Sequence, residues 1–516
     1  MFGPKPVLTK VYACAVLGIE AITVTIEVHV DAGVGYHLVG LPDSAIRESN
    51  YRIAAALRHI GYRIPGKKIT INMSPAGLRK EGAAYDLPLA IGILSASGQM
   101  EKRDPDRYLL MGELSLDGAL QPLKGALSMA LQARDAGFDG FILPAINAPE
   151  AAVVTGVRVF GASTLSEVIG HLNGSEPLRL FSEPGDWTNG YAVGDVADFE
   201  EVRGQETAKR CLEIAAAGGH NVLLIGPPGS GKTMLAKRLA GILPPMAREE
   251  ALETTRIYSV AGMAAGRGLM GIRPFRSPHH TISNAALVGG GAYPQPGEIS
   301  LAHNGVLFLD ELPEFKRHVL EVLRQPLEDR EITLTRSRFT FTYPCSFMLV
   351  ASMNPSPSGF FTGEPGAGGS TLAEVHRYMG RISGPLLDRI DMHLEVRPVP
   401  FDKLSDRRKG EGSQAIRKRV MAAREKQDRR FRSAGKLHYN AQMGTKEIRA
   451  YCPVDKTALT LLKQAVDRMK LSARAYDRIL KVARTIADLS GNEHIRSAHI
   501  AEAIQYRSLD REGWME

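Results

Sequence analysis

Cysteine is scarce in this chain: there are four in 516 residues, Cys14, Cys211, Cys345 and Cys452. None has a neighbour at a disulfide or metal-ligand spacing, which argues against a disulfide framework and a sequence-local zinc site. They read as buried free thiols. Long apolar runs are also missing, and no stretch approaches the ~20 residues that cross a bilayer. The N-terminus, Met1-Phe2-Gly3-Pro4, lacks a basic segment followed by an apolar stretch and a small-residue cleavage site. A cytoplasmic protein with no membrane partner is the expectation. Internal repeats and long low-complexity tracts are absent too.

What is present is a chain too long for one core, so two or three domains are expected. The formal net charge of +8 is unevenly spread. From Phe401 onward there are 26 Lys and Arg against 15 Asp and Glu, whereas the first 400 residues carry 38 against 41. A basic C-terminal region suits a polyanionic partner such as nucleic acid, or else a solvated face.

Periodicity divides the chain into an α/β region at residues 1–174, a linker at 175–197, an α/β region at 198–400 and a basic helical region at 401–516. In the first region Thr23–Val30 alternates like a strand, Ser44–His59 has helical spacing, and Lys68–Met73 and Gly137–Pro144 read as further strands. The linker is marked by Gly, Ser, Pro, Asp and Asn with little periodicity. In the second region strands alternate with helices, which implies a mostly parallel sheet.

The chemistry concentrates there. The apolar run Asn221–Ile225 leads into Gly226-Pro227-Pro228-Gly229-Ser230-Gly231-Lys232-Thr233, and Met234–Leu239 reads as a helix. This is the phosphate-cradling loop in its strand–loop–helix setting. Its glycines let backbone N–H groups approach phosphate oxygens, and the helix N-terminus adds partial positive charge. Lys232 is expected to reach the β- and γ-phosphates of ATP, and the Thr233 hydroxyl to hold Mg²⁺. A second apolar strand, Gly305–Leu309, ends in Asp310-Glu311. Asp310 is expected to hold Mg²⁺ through water, and Glu311 to orient and deprotonate the attacking water. A third strand, Ser346–Ser352, precedes Asn354, which can bond the γ-phosphate or the lytic water. Arg389, in Leu386-Leu387-Asp388-Arg389, is the candidate arginine finger for a neighbouring subunit's nucleotide. Arg474, at the start of a C-terminal helix, is the candidate lid arginine for the same chain's nucleotide. Either arginine could instead be a structural ion-pair residue.

The stretches Arg273–Ser283, Pro296–His303 and Arg381–Arg389, with Gly40–Asp43 and Lys80–Pro88, resemble the magnesium-chelatase-like AAA+ ATPases of the ComM/YifB competence family, over essentially the whole chain. The resemblance implies an N-terminal Lon-protease-like α/β domain (ribosomal S5 domain 2-like), an AAA+ P-loop core and a C-terminal helical lid. It also implies a homo-oligomeric, hexameric ring and a motor that drives branch migration on DNA during recombination or natural transformation. A chelatase-type or protein-remodelling ATPase is the alternative. Two departures matter. Where many relatives carry four cysteines after the Asn-Pro, this chain has Ser356, Ser358, Gly368 and Ser370, so no zinc is expected. Where a Lon-type peptidase has its nucleophile stands Ala84, and Gly125–Leu131 supplies no lysine. Without a hydroxyl nucleophile and its base there is no acyl-enzyme route, so the first domain is expected to be non-catalytic.

For DNA, Glu331–Thr342 alternates like two strands around Arg336-Ser337, so Arg336 and Arg338 are candidate phosphate contacts. The Gly-rich insert Gly262–Gly291, with Arg267, Arg273 and Arg276, is a second pore candidate. The run Arg407-Arg408-Lys409, Arg417-Lys418-Arg419 and Arg429-Arg430 suits salt-sensitive phosphate binding. The pair His279-His280 lacks partner ligands at metal spacing and reads as structural.

Overall fold

The computed structural model describes residues 8–100, 104–182, 197–291, 294–336, 339–357, 370–405, 410–432, 437–507 and 509. Its chain forms two compact units, Met1–Ala192 with Ala247–Gly271, and Val193–Met246 with Ile272–Glu516.

Alternation builds the first unit. β1 (Leu8–Leu17) and β2 (Glu20–Asp31) pair antiparallel with Val11 opposite Ile26, and Ala21, Val24, Ile26 and Val28 of β2 are buried. With β3 (Gly35–Val39), β4 (Lys68–Ser74), β5 (Tyr108–Leu110), β6 (Gly140–Pro144), β7 (Arg158–Ala162) and β8 (Arg179–Phe181) they make a mixed eight-stranded sheet in the order β8-β7-β6-β5-β1-β2-β4-β3. The helix Asp86–Ala96 is apolar almost all round and buried to match. The helix Ser44–His59 starts where Asp43 accepts the Ile46 N–H at 2.9 Å, an N-cap. The helix Arg248–Val260, though it follows the P-loop in sequence, belongs to this unit. The Ser259 carbonyl accepts from Gly125 N at 2.9 Å, and Arg256 pairs with Glu20 at 2.7 Å.

The second unit rests on a five-stranded parallel sheet. Its strands are β9 (Val222–Ile225), β10 (Phe275–Arg276), β11 (Val306–Leu309), β14 (Met348–Met353) and β15 (Met392–Glu395), in the order β10-β11-β14-β9-β15. β9, β11 and β14 are buried at every residue, as strands covered on both faces must be. Because all five run the same way, the segments that follow them emerge at one edge and those that precede them lie at the other. Between β11 and β14 the hairpin β12 (Glu331–Arg336) and β13 (Phe339–Pro344) pairs with Arg336 opposite Phe339. Ser337 and Arg338 lie outside the described residues.

Helices α1 (Glu206–Gly218) and α2 (Lys232–Ile242) flank this sheet, and the C-terminal helices α3 (Ser413–Phe431) and α4 (Ala473–Leu489) share its core. Ile416 and Val420 of α3 and Ile479, Ala483 and Ile486 of α4 join Leu212 and Ala215 of α1 and Leu235 and Leu239 of α2 in one cluster. Part of the basic character of α3 is used within the fold. Arg419 pairs with Glu213 and Glu411, Arg430 with Asp488 at 2.6 Å, and Lys426 donates to the Asp488 carbonyl at 2.8 Å. Lys418 and Arg429 of the run are exposed, and Arg407, Arg408 and Lys409 lie outside the described residues. No helix among the described residues is long and apolar enough to cross a membrane.

Candidate nucleotide site

Five candidate residues converge where the strands end. After β9 the loop turns through Gly229 and Gly231, both at positive φ (77° and 91°), where a side chain would strain the backbone. A Cβ on Gly226 would come within 2.2 Å of the Val396 carbonyl oxygen, so only glycine lets the loop pass β15. Gln205 braces the loop, donating to the Ser230 carbonyl at 3.3 Å and the Arg397 carbonyl at 2.6 Å. Lys232 opens α2, and its ammonium donates to the carbonyls of Gly226 (2.7 Å) and Pro227 (3.0 Å) and to Asn354 Oδ1 (3.1 Å). Burial pushes the Lys232 ammonium below its ordinary value, against the opposing pull of Asp310 and Glu311. The Ser230 hydroxyl is buried with no hydrogen-bond partner among the described residues.

Thr233 donates to Asp310 Oδ2 at 2.7 Å, and the Ser352 hydroxyl of β14 donates to Asp310 Oδ1. Glu311 sits at a positive φ of 54° with a half-exposed side chain, and its N–H faces Asp310 Oδ1 at 3.1 Å. His280 Nδ1 lies 3.6 Å from the Glu311 carboxylate, and its ring stacks on His279 with centroids 4.1 Å apart. So His280, read from sequence as structural, faces the expected base. Ser352 was not singled out at all, and its place on β14, two residues before Asn354, is the signal that could have found it.

These residues fit a magnesium nucleotide. A glycine-lined loop, an inward ammonium and an orphaned hydroxyl offer donors to phosphate oxygens. Thr233 and Asp310 offer the hydroxyl and single carboxylate that magnesium takes when phosphates and water complete its shell. Glu311 is exposed enough to meet a water molecule.

Arg389 and Arg474 lie elsewhere. Arg389 follows a short helical turn (Gly384–Leu387) and precedes β15, so it sits at the N-terminal edge of the sheet. Its guanidinium donates to the carbonyls of Arg324 (3.1 Å) and Pro385 (2.6 Å) and pairs with Glu328 at 2.6 Å. Arg474, in the first turn of α4 behind the Ser472 N-cap, is exposed and 3.8 Å from Asp388. Strands of four residues at ~3.3 Å each set the two edges ~13 Å apart. Arg474 thus lies at the edge of its own sheet away from Lys232, where the apolar face of α4 packs against α1. Two of the three insert arginines are also occupied. Arg276 makes two 2.6 Å bonds to Glu298, and Arg273 donates to the carbonyls of Pro244 and Asn304 at 2.8 Å.

Comparison with known proteins agrees with this arrangement. Residues 198–404 match the family model for magnesium chelatase, subunit ChlI; residues 26–147 match that for subunit ChlI of Mg-chelatase; and residues 410–507 match its C-terminal model. The chain is 46% identical over 507 residues to YifB of Escherichia coli K12 and 44% identical over 507 residues to the competence protein ComM of Haemophilus influenzae, covering 98% of each chain in both cases. It is 24% identical over 216 residues to the magnesium-chelatase 38 kDa subunit of Cereibacter sphaeroides, spanning 58% of that protein. A parallel sheet carrying a P-loop, with helices sharing its core and full-length likeness to these relatives, places the chain in the magnesium-chelatase-like AAA+ family that includes YifB and ComM.

Proposed function

We propose that the protein is a ring-forming ATPase whose hydrolysis drives movement on DNA. The observation that carries the ring is the division of the site. Lys232, Thr233, Asp310, Glu311 and Asn354 gather at one edge of the sheet, while Arg389 and Arg474 stand at the other. A chain with two complementary half-sites on opposite edges completes them by head-to-tail association, and a closing rotation makes a ring. Bound magnesium would neutralise phosphate charge. Lys232 binds and aligns the phosphates, Thr233 and Asp310 hold the metal, and Asn354 orients the reacting end. Glu311 accepts the proton of the attacking water, and the neighbour's Arg389 and Arg474 stabilise charge as it builds.

The DNA substrate rests on the resemblance to the competence protein ComM and on the hairpin β12–β13, in whose sequence the candidate phosphate contacts Arg336 and Arg338 stand. ATPase rates with and without a four-way junction at low salt test it. Stimulation that fades as salt rises is expected, and a rate indifferent to DNA would remove the motor. A remodelling or chelatase-type ATPase is the second reading, favoured by the internal pairing of Arg419 and Arg430. The first domain serves as a non-peptidase module in either case: Ala84 offers no nucleophile, and the nearby Lys80 is buried against the carbonyls of Gly40 (3.0 Å) and Met73 (2.9 Å).

A further inference from the structure

The first unit carries a local charge that its overall composition conceals. The first 400 residues are close to neutral, yet residues 44–68 hold six Lys and Arg against one acid, Glu48. Of the six, Arg52 turns inward and bonds the buried Asp86 at 2.6 and 2.9 Å. Arg47, Arg58, Arg63, Lys67 and Lys68 are exposed.

Helix geometry sorts them. Ile46, Ser49, Ile53, Ala56 and Leu57 are buried along one face of the helix Ser44–His59. At ~100° per residue, Arg47, Tyr51 and Arg58 fall within ~40° of one another on the opposite face, and they cover ~16 Å along the axis. Tyr51 is 76% exposed, although a ring of its size is normally well covered. The Arg47 and Arg58 side chains make no hydrogen bond or ion pair among the described residues. Arg58 stands in the last turn, where a cation suits the helix. Arg47 stands near the start, where the partial positive charge of the backbone opposes it, and the first turn holds no acid to offset it. Neither packing nor helix stability therefore accounts for Arg47 and Tyr51.

We propose that this arginine–tyrosine–arginine ridge binds single-stranded DNA, with the Tyr51 ring stacked on a base and Arg47 and Arg58 holding phosphates on either side. The inference deepens the DNA reading above, on which it rests for the class of partner. A nucleic-acid backbone repeats its negative charge at regular intervals, which suits two cations with a gap between them. The exposed ring selects an open strand, because the base faces of a duplex are already stacked on one another. An acidic protein segment would meet the charges and leave the ring without a flat partner. The ridge belongs to the first unit and the hairpin β12–β13 to the second, so each contact can be removed by itself.

The test uses the full-length chain and a fluorescent oligothymidylate, whose anisotropy is followed between about 50 and 200 mM salt. Tyr51→Ala should weaken binding about 5–150-fold, the loss of one stacked base, and Tyr51→Phe should bind as wild type does. Arg47→Gln and Arg58→Gln together should make the slope of log affinity against log salt shallower by about 1.4, the share of two phosphate contacts on a single strand. A duplex of the same length should bind wild type and Tyr51→Ala alike. Because all three side chains are exposed, Tm should not change; a fall of several degrees would mark the ridge as structural and overturn it. If wild type binds oligothymidylate and the substitutions alter neither affinity nor slope, the ridge is overturned and the DNA reading stands. A Tyr51→Ala loss that is equal for strand and duplex likewise overturns the preference for an open strand. Wild-type protein that binds neither strand nor duplex at the lowest salt removes the ridge and the DNA reading together.

Discussion

The Lys232 ammonium is shared among three oxygens of its own chain, so it both fastens the loop and carries the charge that phosphate needs. Charge-assisted bonds contribute about 1.5–3 kcal/mol each. Lys232→Ala is therefore expected to lower nucleotide affinity by at least ~100-fold in a fluorescent-nucleotide titration. Glu311→Gln keeps the shape and loses the base. ATP binding should persist while kcat falls by about 10²–10⁴, and rapid turnover by that variant would remove Glu311 from the chemistry. At this scale the contiguous motifs were legible, because loop, lysine and threonine adjoin in sequence. Ser352 and His280 were not. Their contacts are made across strands, to residues 42 and 31 positions away, and a linear pattern carries no record of such partners.

Among the elements, the loop before α2 has the least freedom. Gly226→Ala would drive a methyl into the Val396 carbonyl, so either the loop or β15 must shift. A loss of nucleotide binding together with a Tm lower by several degrees is expected in thermal melts. The start of β15 is equally constrained. Burial alone would raise the Asp391 carboxyl, yet Arg478 and His220 outweigh it and hold the group well below the usual carboxylate range. Its folded-state value being lowered, the stability it contributes is present above the unfolded value of about 3.9 and is lost as pH falls below it. Asp391→Asn should flatten the part of the acid-unfolding profile below about pH 4, and it should lower stability at neutral pH by about 3 kcal/mol or more, since it strands Arg478. Most strands and the helix Ser44–His59 were readable here from alternation and spacing. What spacing could not say was which edge α4 packs against. Its apolar face is one side of a helix, and the same face could cap a P-loop or join a core. That choice fixed the place of Arg474.

For the whole molecule, the proposed ring would make one subunit incomplete, because the site is split between opposite edges. Arg389→Ala should bind ATP normally but hydrolyse it about 10³–10⁵-fold more slowly, as arginine fingers do. Mixed with Glu311→Gln protein, it should regain activity, because some interfaces then pair an intact base with an intact arginine. Mixtures no faster than either parent would show that the arginine does not act across an interface.

The excursion of Ala247–Gly271 into the first unit has a further consequence. The chain passes between the units three times, near Ala192, Met246 and Gly271. Two of those passages adjoin, in sequence, elements of the candidate site. One leaves four residues after α2, the helix that Lys232 opens, and the other returns just ahead of β10 and the loop bearing His280. Neither unit is a contiguous stretch that could be excised, exchanged or inherited by itself. Five residues of backbone are all that separate α2 from the helix Arg248–Val260 of the other unit.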